Sequence, residues 1–269
     1  MTVVTGEMYA VGARRGIIFQ LNAAGLPNAT GASAVVYEGI ELLGVKNFDL
    51  NIPPVRKIVH SGNDRVMAYD FLPSIEGAGG TLAVAGRDFG IDAMVGGVIE
   101  RTLGEAKIMP FATDQQGAEP DVALFIMQQA KDASSRSRRY RFQIVPKCVI
   151  SATPPGMNEN ASESKYELAI SPTTKHLWGT SFVVGTDGCL EAGVIEGMTE
   201  GRPNVVAWLG DNVVTKLLFP VSKPATATGK IHGVWVNGVL DGTVTKAVDG
   251  VTPSAKPGVS DLIVCLYEY

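Results

Sequence analysis

Residues 138–151, Arg-Arg-Tyr-Arg-Phe-Gln-Ile-Val-Pro-Lys-Cys-Val-Ile-Ser, show the clearest alternation of polar and apolar side chains in the sequence. Successive side chains of a β-strand point to opposite faces, so a period of two indicates a strand with one face on a core. The other face is expected to meet water or a partner. The apolar positions of the predicted core face are Tyr140, Phe142, Ile144, Cys148 and Ile150.

A second alternating segment, Lys165 to Ser171, predicts a neighbouring strand. Tyr166, Leu168 and Ile170 take its apolar positions and are expected to point inward. The loop between the two segments contains Pro-Pro-Gly at positions 154–156, and these residue types favour turns. The sequence therefore predicts that the two strands pair with each other.

Further segments before residue 181 are typical of strands because Gly, Pro, Asn or Asp residues bound them. These candidates are Gly16 to Asn22, Ala34 to Phe48, Gly80 to Ala85, Ala106 to Thr113 and Val122 to Gln129. One helix is predicted, from Arg87 to Gly96, with Asp88 as its N-cap and Gly96-Gly97 at its end.

Beyond residue 181 the sequence is divided by glycines into short hairpins. Strands are predicted at Val205 to Leu209, Val213 to Val221, Lys230 to Val236 and Leu262 to Tyr267. Asn237-Gly238 predicts a type I′ turn, because that turn needs positive φ at both central residues. We therefore expect a first domain over 1–181 and a C-terminal β module over 182–269. No Pro-rich or Ser-rich linker separates them, so the module is expected either to pack firmly on the first domain or to share a sheet with it.

The composition agrees with an all-β architecture. Charged residues make up 19% of the 269 residues and aromatic residues 7%, while 31 glycines and 15 prolines supply many turns. The net charge of −4 argues against a general nucleic-acid binder, whose affinity comes from clustered Lys and Arg. No apolar run is long enough to cross a bilayer and the N-terminal sequence lacks signal-peptide features, so a cytoplasmic site of synthesis is expected.

Residues that carry chemistry are sparse, and no catalytic residue, metal or cofactor is predicted. His60, His176 and His232 are isolated from one another and from cysteines at metal-ligand spacing. The hydrolase, nucleotide-loop and zinc-protease signatures are missing. The three cysteines, Cys148, Cys189 and Cys265, lie in apolar segments and are interpreted as buried thiols. The sequence indicates a protein that is not an enzyme.

The densest basic run consists of Arg136, Arg138, Arg139 and Arg141. Three interpretations are open: a solvated loop, a salt-bridged contact with an acidic neighbouring subunit, or a nucleic-acid contact. The overall acidity of the chain argues against the last.

The order and spacing of these segments resemble the major tail tube proteins of long, non-contractile-tailed bacteriophages. The resemblance covers residues Arg14 to Phe182, and its weight comes from order, not from a single motif. Its parts are the strand Gly16 to Asn22, a polar arm within Val45 to Met67, a strand and short helix over Thr81 to Gly97, the strand Val122 to Gln129, a closing pair at Tyr140 to Pro146 and Tyr166 to Pro172, and His176 to Gly179.

This resemblance implies a tail-tube-like β-sandwich with one short packed helix. Such subunits assemble as hexameric rings whose strands close a continuous inner barrel, and the rings stack into the conduit for DNA. The implied partners are copies of the chain itself, a tape-measure protein and tail terminator or tip proteins, in a virion tail assembled in the host cytoplasm. An acidic chain suits this role, because a lumen that repels phosphate lets DNA pass without sequence recognition.

The arm near 47–67 is interrupted by prolines that cannot donate hydrogen bonds to a sheet. By resemblance it reaches the next ring, whereas an ordinary solvent-exposed hairpin is the alternative. Together with the basic run described above, the arm supplies the predicted contacts between rings or subunits. These arm candidates are Ile52, Pro53, Pro54, Arg56, Lys57 and Arg65.

The C-terminal module lies outside the minimal tail tube pattern. It is expected either to decorate the outer surface of the tube or to enlarge the contact between rings. Another role for the chain is a capsid decoration or other virion protein. A third is a carbohydrate-binding module with Trp178, Trp208 and Trp235 as its platform, although tryptophans in strands more often belong to a core.

Overall fold

The computed structural model of the protein describes residues 8–28, 36–42, 44–51, 56–62, 65–72, 79–85, 89–96, 101–104, 106–108, 120–132, 138–152, 164–170, 178, 191–198 and 202–269. Within these ranges the chain is mostly β-structure in antiparallel sheets, as its composition predicts. The predicted helix is confirmed as α1, Phe89–Gly96, whereas its predicted cap Asp88 and Gly97 lie outside the described residues.

The elements fall into an N-terminal and a C-terminal group. The N-terminal strands are β1 Met8–Gln20, β2 Ile40–Leu42, β3 Val45–Asn51, β4 Arg56–Gly62, β5 Arg65–Leu72, β6 Gly79–Val84, β7 Arg101–Leu103, β8 Ala106–Ile108, β9 Asp121–Asp132, β10 Arg138–Ala152, β11 Ser164–Ile170 and β12 Glu191–Met198. The C-terminal strands are β13 Pro203–Leu209, β14 Leu217–Leu218, β15 Ile231–Val236, β16 Val239–Leu240, β17 Thr245–Ala247, β18 Gly250–Thr252 and β19 Leu262–Glu268.

The largest sheet has the strand order β2-β1-β9-β10-β11-β6-β3, and β12 pairs with the first half of β10. The sheet rolls up, because β2 ends at Leu42 and β3 begins at Val45 although they stand at opposite ends of this order. A Cβ added to Gly16 of β1 would lie 2.6 Å from Leu42 Cδ1 and 3.1 Å from Val45 Cγ2. A larger residue at position 16 would push these side chains aside where β1 approaches the start of β3.

The rolled sheet encloses a cluster that we call the inner core. Helix α1 contributes Ile91 and Val95 to it, and the buried Asp92 carboxylate accepts a hydrogen bond of 2.8 Å from the Tyr166 hydroxyl on β11. The remaining inner-core residues are Ile18, Leu42, Val45, Leu82, Val84, Val122, Leu124, Ile126, Val145, Cys148, Ile150, Tyr166, Leu168 and Ile170.

The pairing of β10 with β11 is as predicted, with Cys148 opposite Ile170 and Ala152 opposite Tyr166. The prediction of one continuous apolar face on β10 was wrong, because Cys148 lies in the inner core while Ile144 packs on the opposite face of the sheet. The pairing with β9 shifts between Val145 and Cys148, where Pro146 has no N–H to donate. This β-bulge shifts the alternation of side chains, so Cys148 points to the opposite face of the sheet from Ile144.

The opposite face of the rolled sheet is covered by strands β13 to β19, which we call the C-terminal module from here on; β12 belongs to the rolled sheet. Strands β13, β19, β15 and β16 form a four-stranded sheet that packs on β1, β9 and β10. The buried residues between these two sheets form a shared core: Ile17, Phe19, Leu21, Ala123, Phe125, Met127, Ile144, Trp178, Val205, Ala207, Trp235, Leu262, Val264 and Leu266. Residues 122–127 of β9 are thus buried on both faces, which explains their continuous apolar sequence.

A third layer completes the module. The small sheet β14-β18-β17 covers the far side of the four-stranded sheet and encloses an outer core that includes Trp208, Phe219 and Tyr267. The Asn237-Gly238 turn between β15 and β16 has φ values of 49° and 81°, as the type I′ prediction requires.

Two predicted strands were wrong in extent. Ala34 to Phe48 divides into β2 and β3, because Gly39 and Gly44 adopt positive φ at the breaks. Within Val213 to Val221 only Leu217–Leu218 is a strand. The Asp211 carboxylate accepts hydrogen bonds of 2.8 Å from the N–H groups of Val213 and Val214, and these bonds fold the start of that segment into a turn.

The predicted core thiols and tryptophans are confirmed where the structure describes them. Cys148 and Cys265 are buried, unpaired thiols, and burial raises the pKa of both. Cys189 lies outside the described residues. All three tryptophans are core residues, and the indole N–H of Trp178 donates to the Gly25 carbonyl at 3.0 Å. They do not form an exposed platform for a sugar.

Candidate assembly surfaces

The predicted polar arm contains a β-hairpin. Strands β4 and β5 pair from Arg56 opposite Leu72 at the base to Gly62 opposite Arg65 at the tip. They form a two-stranded sheet of their own, and neither pairs with another strand in the described part of the chain. Of the predicted contact residues, Arg56 and Lys57 are at the base and Arg65 is at the tip. The predicted contacts Ile52, Pro53 and Pro54 lie outside the described residues.

The basic run begins strand β10. Arg138, Arg139 and Arg141 take ladder positions in β10, between β9 on one side and β12 on the other. They are therefore strand residues and do not belong to a loop. Arg136 lies outside the described residues.

The register gives this end of the sheet a concentrated positive charge. Arg138 stands opposite Lys131 of β9, and like charges at directly opposite positions destabilise a sheet. An anionic group brought close to this pair would offset the repulsion.

Three strands are unusually long for a globular domain. Strands β1, β9 and β10 have 13, 12 and 15 residues, against a usual length of about 5–6. The ladder of β1 and β9 runs from Gln20 opposite Val122 to Met8 opposite Asp132. Beside this ladder, the outer edge of β12 has no partner strand in the described part of the chain.

A buried arginine joins the rolled sheet to the C-terminal module. The Arg15 guanidinium on β1 lies 2.8 Å from the Glu41 carboxylate and donates to the Pro203 carbonyl at 2.5 Å. It also stacks over the Tyr269 ring, with its Cζ 5.3 Å from the centroid. One side chain thus connects β1, β2 and β13.

The segment 36–38 makes a second connection between the same parts. Tyr37 and Ala207 exchange backbone hydrogen bonds of 2.8 and 2.9 Å, which covers the outer edge of β13. The Lys223 ammonium lies 2.6 Å from the Glu38 carboxylate. Together with the shared core, these contacts fix the module on the rolled sheet.

The other edge of the four-stranded sheet, β16, borders an open groove of about 250 Å³. We call it the loop-end groove. Valine and leucine side chains of β16 are exposed there, with Val239 68% and Leu240 53% accessible. The residues that line the groove are Val236, Val239, Leu240, Asp241, Gly242, Ser254, Ala255, Lys256, Pro257 and Asp261.

The loops around the groove are held by side-chain hydrogen bonds. Asp241 accepts from the N–H groups of Ser254 at 2.6 Å and Thr243 at 3.0 Å. Partial burial tends to raise the pKa of Asp241, but these bonds outweigh it and lower the pKa. Asp261 similarly accepts from the Gly258 N–H at 2.6 Å and the Asn237 amide at 2.7 Å. The groove is therefore preorganised.

A buried ionic cluster lies on β15 and β19. Glu268 is fully buried, with its carboxylate 2.7 Å from His232 Nε2 and 3.6 Å from Lys230 Nζ. Burial lowers the pKa of His232, and the hydrogen bond and charge of Glu268 only partly oppose this effect. The side chains of His232 and Lys230 thus flank the buried Glu268 carboxylate.

Sequence reasoning missed Arg15, the loop-end groove and Glu268. Glu268 carried a signal, since a single carboxylate ends the otherwise apolar run Leu-Ile-Val-Cys-Leu-Tyr at 262–267. The sequence gives a weaker signal for the loop-end groove. The surrounding loops contain Asn and Asp residues, whose side chains often form hydrogen bonds with the backbone of a turn.

In the described ranges, no group of three or more His, Cys, Asp or Glu residues is arranged to hold a metal ion. Nor does any helix in those ranges have the length and apolar character needed to span a bilayer.

No protein-family model matches the chain, and no curated protein sequence matches it.

Proposed function

We propose that this chain is a structural virion protein that polymerises as stacked hexameric rings into the tail tube of a long-tailed bacteriophage. In this role the chain acts through contacts between copies and carries no catalytic site. The tube is the conduit for DNA, which passes without sequence recognition. The tape-measure and tail terminator or tip proteins are its further partners.

The long ladder of β1, β9 and β10 is the single observation that carries this proposal. A long antiparallel ladder beside a β12 edge that has no partner strand among the described residues offers that edge to a strand of another copy. Six copies that join such sheets edge to edge would close a barrel and leave no free edge.

The hairpin β4–β5 supplies a second contact in this proposal. It pairs only with itself in the described part of the chain, so its outer strand edges can pair with a neighbouring ring. The cations Arg56, Lys57 and Arg65 give it a charge opposite to the net charge of the chain. Attraction of this kind fixes the register between stacked rings.

The C-terminal module supports a position on the outside of such a tube. It covers the face of the rolled sheet opposite the inner core and leaves its own loop end exposed. The proposal places the module on the outer surface, as a fixed part of each subunit.

Negative-stain electron microscopy over a concentration series, with mass photometry of the same samples, tests the proposal. Six-subunit rings and hollow tubes are expected as concentration rises. A chain that stays monomeric or trimeric and binds saturably to empty phage heads would instead identify a capsid decoration protein.

A further inference from the structure

The loop-end groove lies at the free edge of a sheet, and the hairpin β4–β5 has no partner strand in the described part of its own chain. We propose that the hairpin of one copy docks in the loop-end groove of a second copy. This inference rests on the proposed function, because it specifies which surfaces of neighbouring subunits meet.

The groove is lined by an edge strand of the four-stranded sheet. Its wall is β16, whose inner side pairs with β15 through Trp235 opposite Leu240. The outer side of β16 has no partner strand among the described residues, whereas the far edge of the same sheet is covered by Tyr37. A strand that adds to β16 gains main-chain hydrogen bonds and buries Val239 and Leu240.

The groove loops are ordered before any partner arrives. Asn237, Asp241 and Asp261 already hold the backbone N–H groups of the surrounding turns through hydrogen bonds of 2.6 to 3.0 Å. A partner therefore does not have to order these loops, and more of the contact energy appears as affinity.

Charge selects the hairpin as the occupant. Asp241 and Asp261 line the groove with one cation, Lys256. Lys256 also contributes to the low pKa of Asp211, after the larger effect of backbone hydrogen bonds from Val214 and Val213. The groove end of the module is thus net negative.

The hairpin has the opposite charge. Residues 56–72 contain Arg56, Lys57 and Arg65 against Asp64 and Asp70. Between these charges lie strand-forming apolar residues such as Ile58 and Val59, which suit a groove walled by valine and leucine. A net positive, partly apolar hairpin therefore matches the groove in both charge and chemistry.

A charge-swap experiment in the full chain tests the contact. Val239→Lys places a cation in the groove, and Val221→Lys places one at the most exposed valine of the same module, which does not line the groove. Sedimentation over a concentration series measures self-association of each variant. We expect V239K to weaken self-association by about tenfold and V221K to leave it unchanged. Adding Lys57→Glu to V239K should restore much of the loss.

Each outcome decides the inference. If V239K associates as well as V221K, the groove is not a contact between copies. If Lys57→Glu restores nothing, a different segment occupies the groove and the hairpin assignment is wrong. In both cases the proposed function still holds if the unaltered chain forms rings or tubes. An unaltered chain that remains monomeric at every concentration contradicts both the groove contact and the proposed function.

Discussion

Arg15 of β1 donates a hydrogen bond of 2.5 Å to the main-chain carbonyl of Pro203 at the start of β13, across 188 positions of sequence. The same guanidinium lies against Glu41 and the Tyr269 ring. Because the arginine itself is 7% exposed, the first β-sheet and the C-terminal module are joined by a buried charge as well as by an apolar core.

Replacement of this side chain by a neutral one of similar length should destabilise the whole subunit. Arg15→Met removes the charge-assisted bonds and leaves the Pro203 carbonyl without that donor, at a cost of about 1–3 kcal/mol in the free energy of unfolding. Urea unfolding measures the difference.

Lys216→Met is the matched control, because Lys216 pairs with Asp249 at 2.7 Å on the exposed surface of the module. Its expected cost is below about 0.5 kcal/mol. Equal effects of the two substitutions would show that Arg15 contributes no more than a surface ion pair.

Removal of the C-terminal module should prevent the rest of the chain from folding stably. A chain that ends at residue 201 loses six of the fourteen shared-core residues and exposes Phe19, Phe125 and Trp178 on the face of the rolled sheet. The intact chain should unfold in one thermal transition, and the truncated chain should show none or aggregate. A soluble truncated chain with its own cooperative transition would show that the module is an independent attachment.

Acid should weaken the module through His232. Burial lowers the pKa of His232 in the folded chain below its usual 6.5, so the unfolded chain binds this proton more readily. The stability from the neutral imidazole is complete above pH 6.5 and is lost as the pH falls below it.

Chemical unfolding at about pH 7.5 and about pH 5.5 measures this loss, and His232→Gln is the comparison because it cannot titrate. The unaltered chain should lose more stability than H232Q between the two conditions. Equal losses would contradict the assignment of the titration to His232.

The hairpin should control how copies stack. Replacing both Arg56 and Lys57 with Glu reverses the charge at its base, so tubes should become shorter while circular dichroism shows an unchanged fold. Unchanged tube lengths would count against a role for the arm in stacking.

Local rules were sufficient where one segment determines its own structure. The period of two in Arg138 to Ser151 predicted β10 and its pairing with β11, and Asn237-Gly238 predicted its turn. The bulge near Pro146 was beyond such reasoning, because it depends on register against β9. A period count assumes that no residue is inserted.

The contacts between the two parts of the chain could not be predicted from local patterns. Trp178 and Trp235 were expected in a core, but their meeting in one cluster depends on how two sheets pack. Arg15 resembles any surface arginine in sequence, since its burial is caused by Pro203 and Tyr269 far along the chain. The loop-end groove likewise depends on how two separate segments, 236–242 and 254–261, pack against each other.

The most direct test of the central claim is the mass of the assembled particle. Mass photometry of the purified chain, with negative-stain images of the same samples, should give a species of six subunits and hollow tubes that lengthen as concentration rises. A single monomeric species at every concentration, with neither rings nor tubes in the images, would contradict the account.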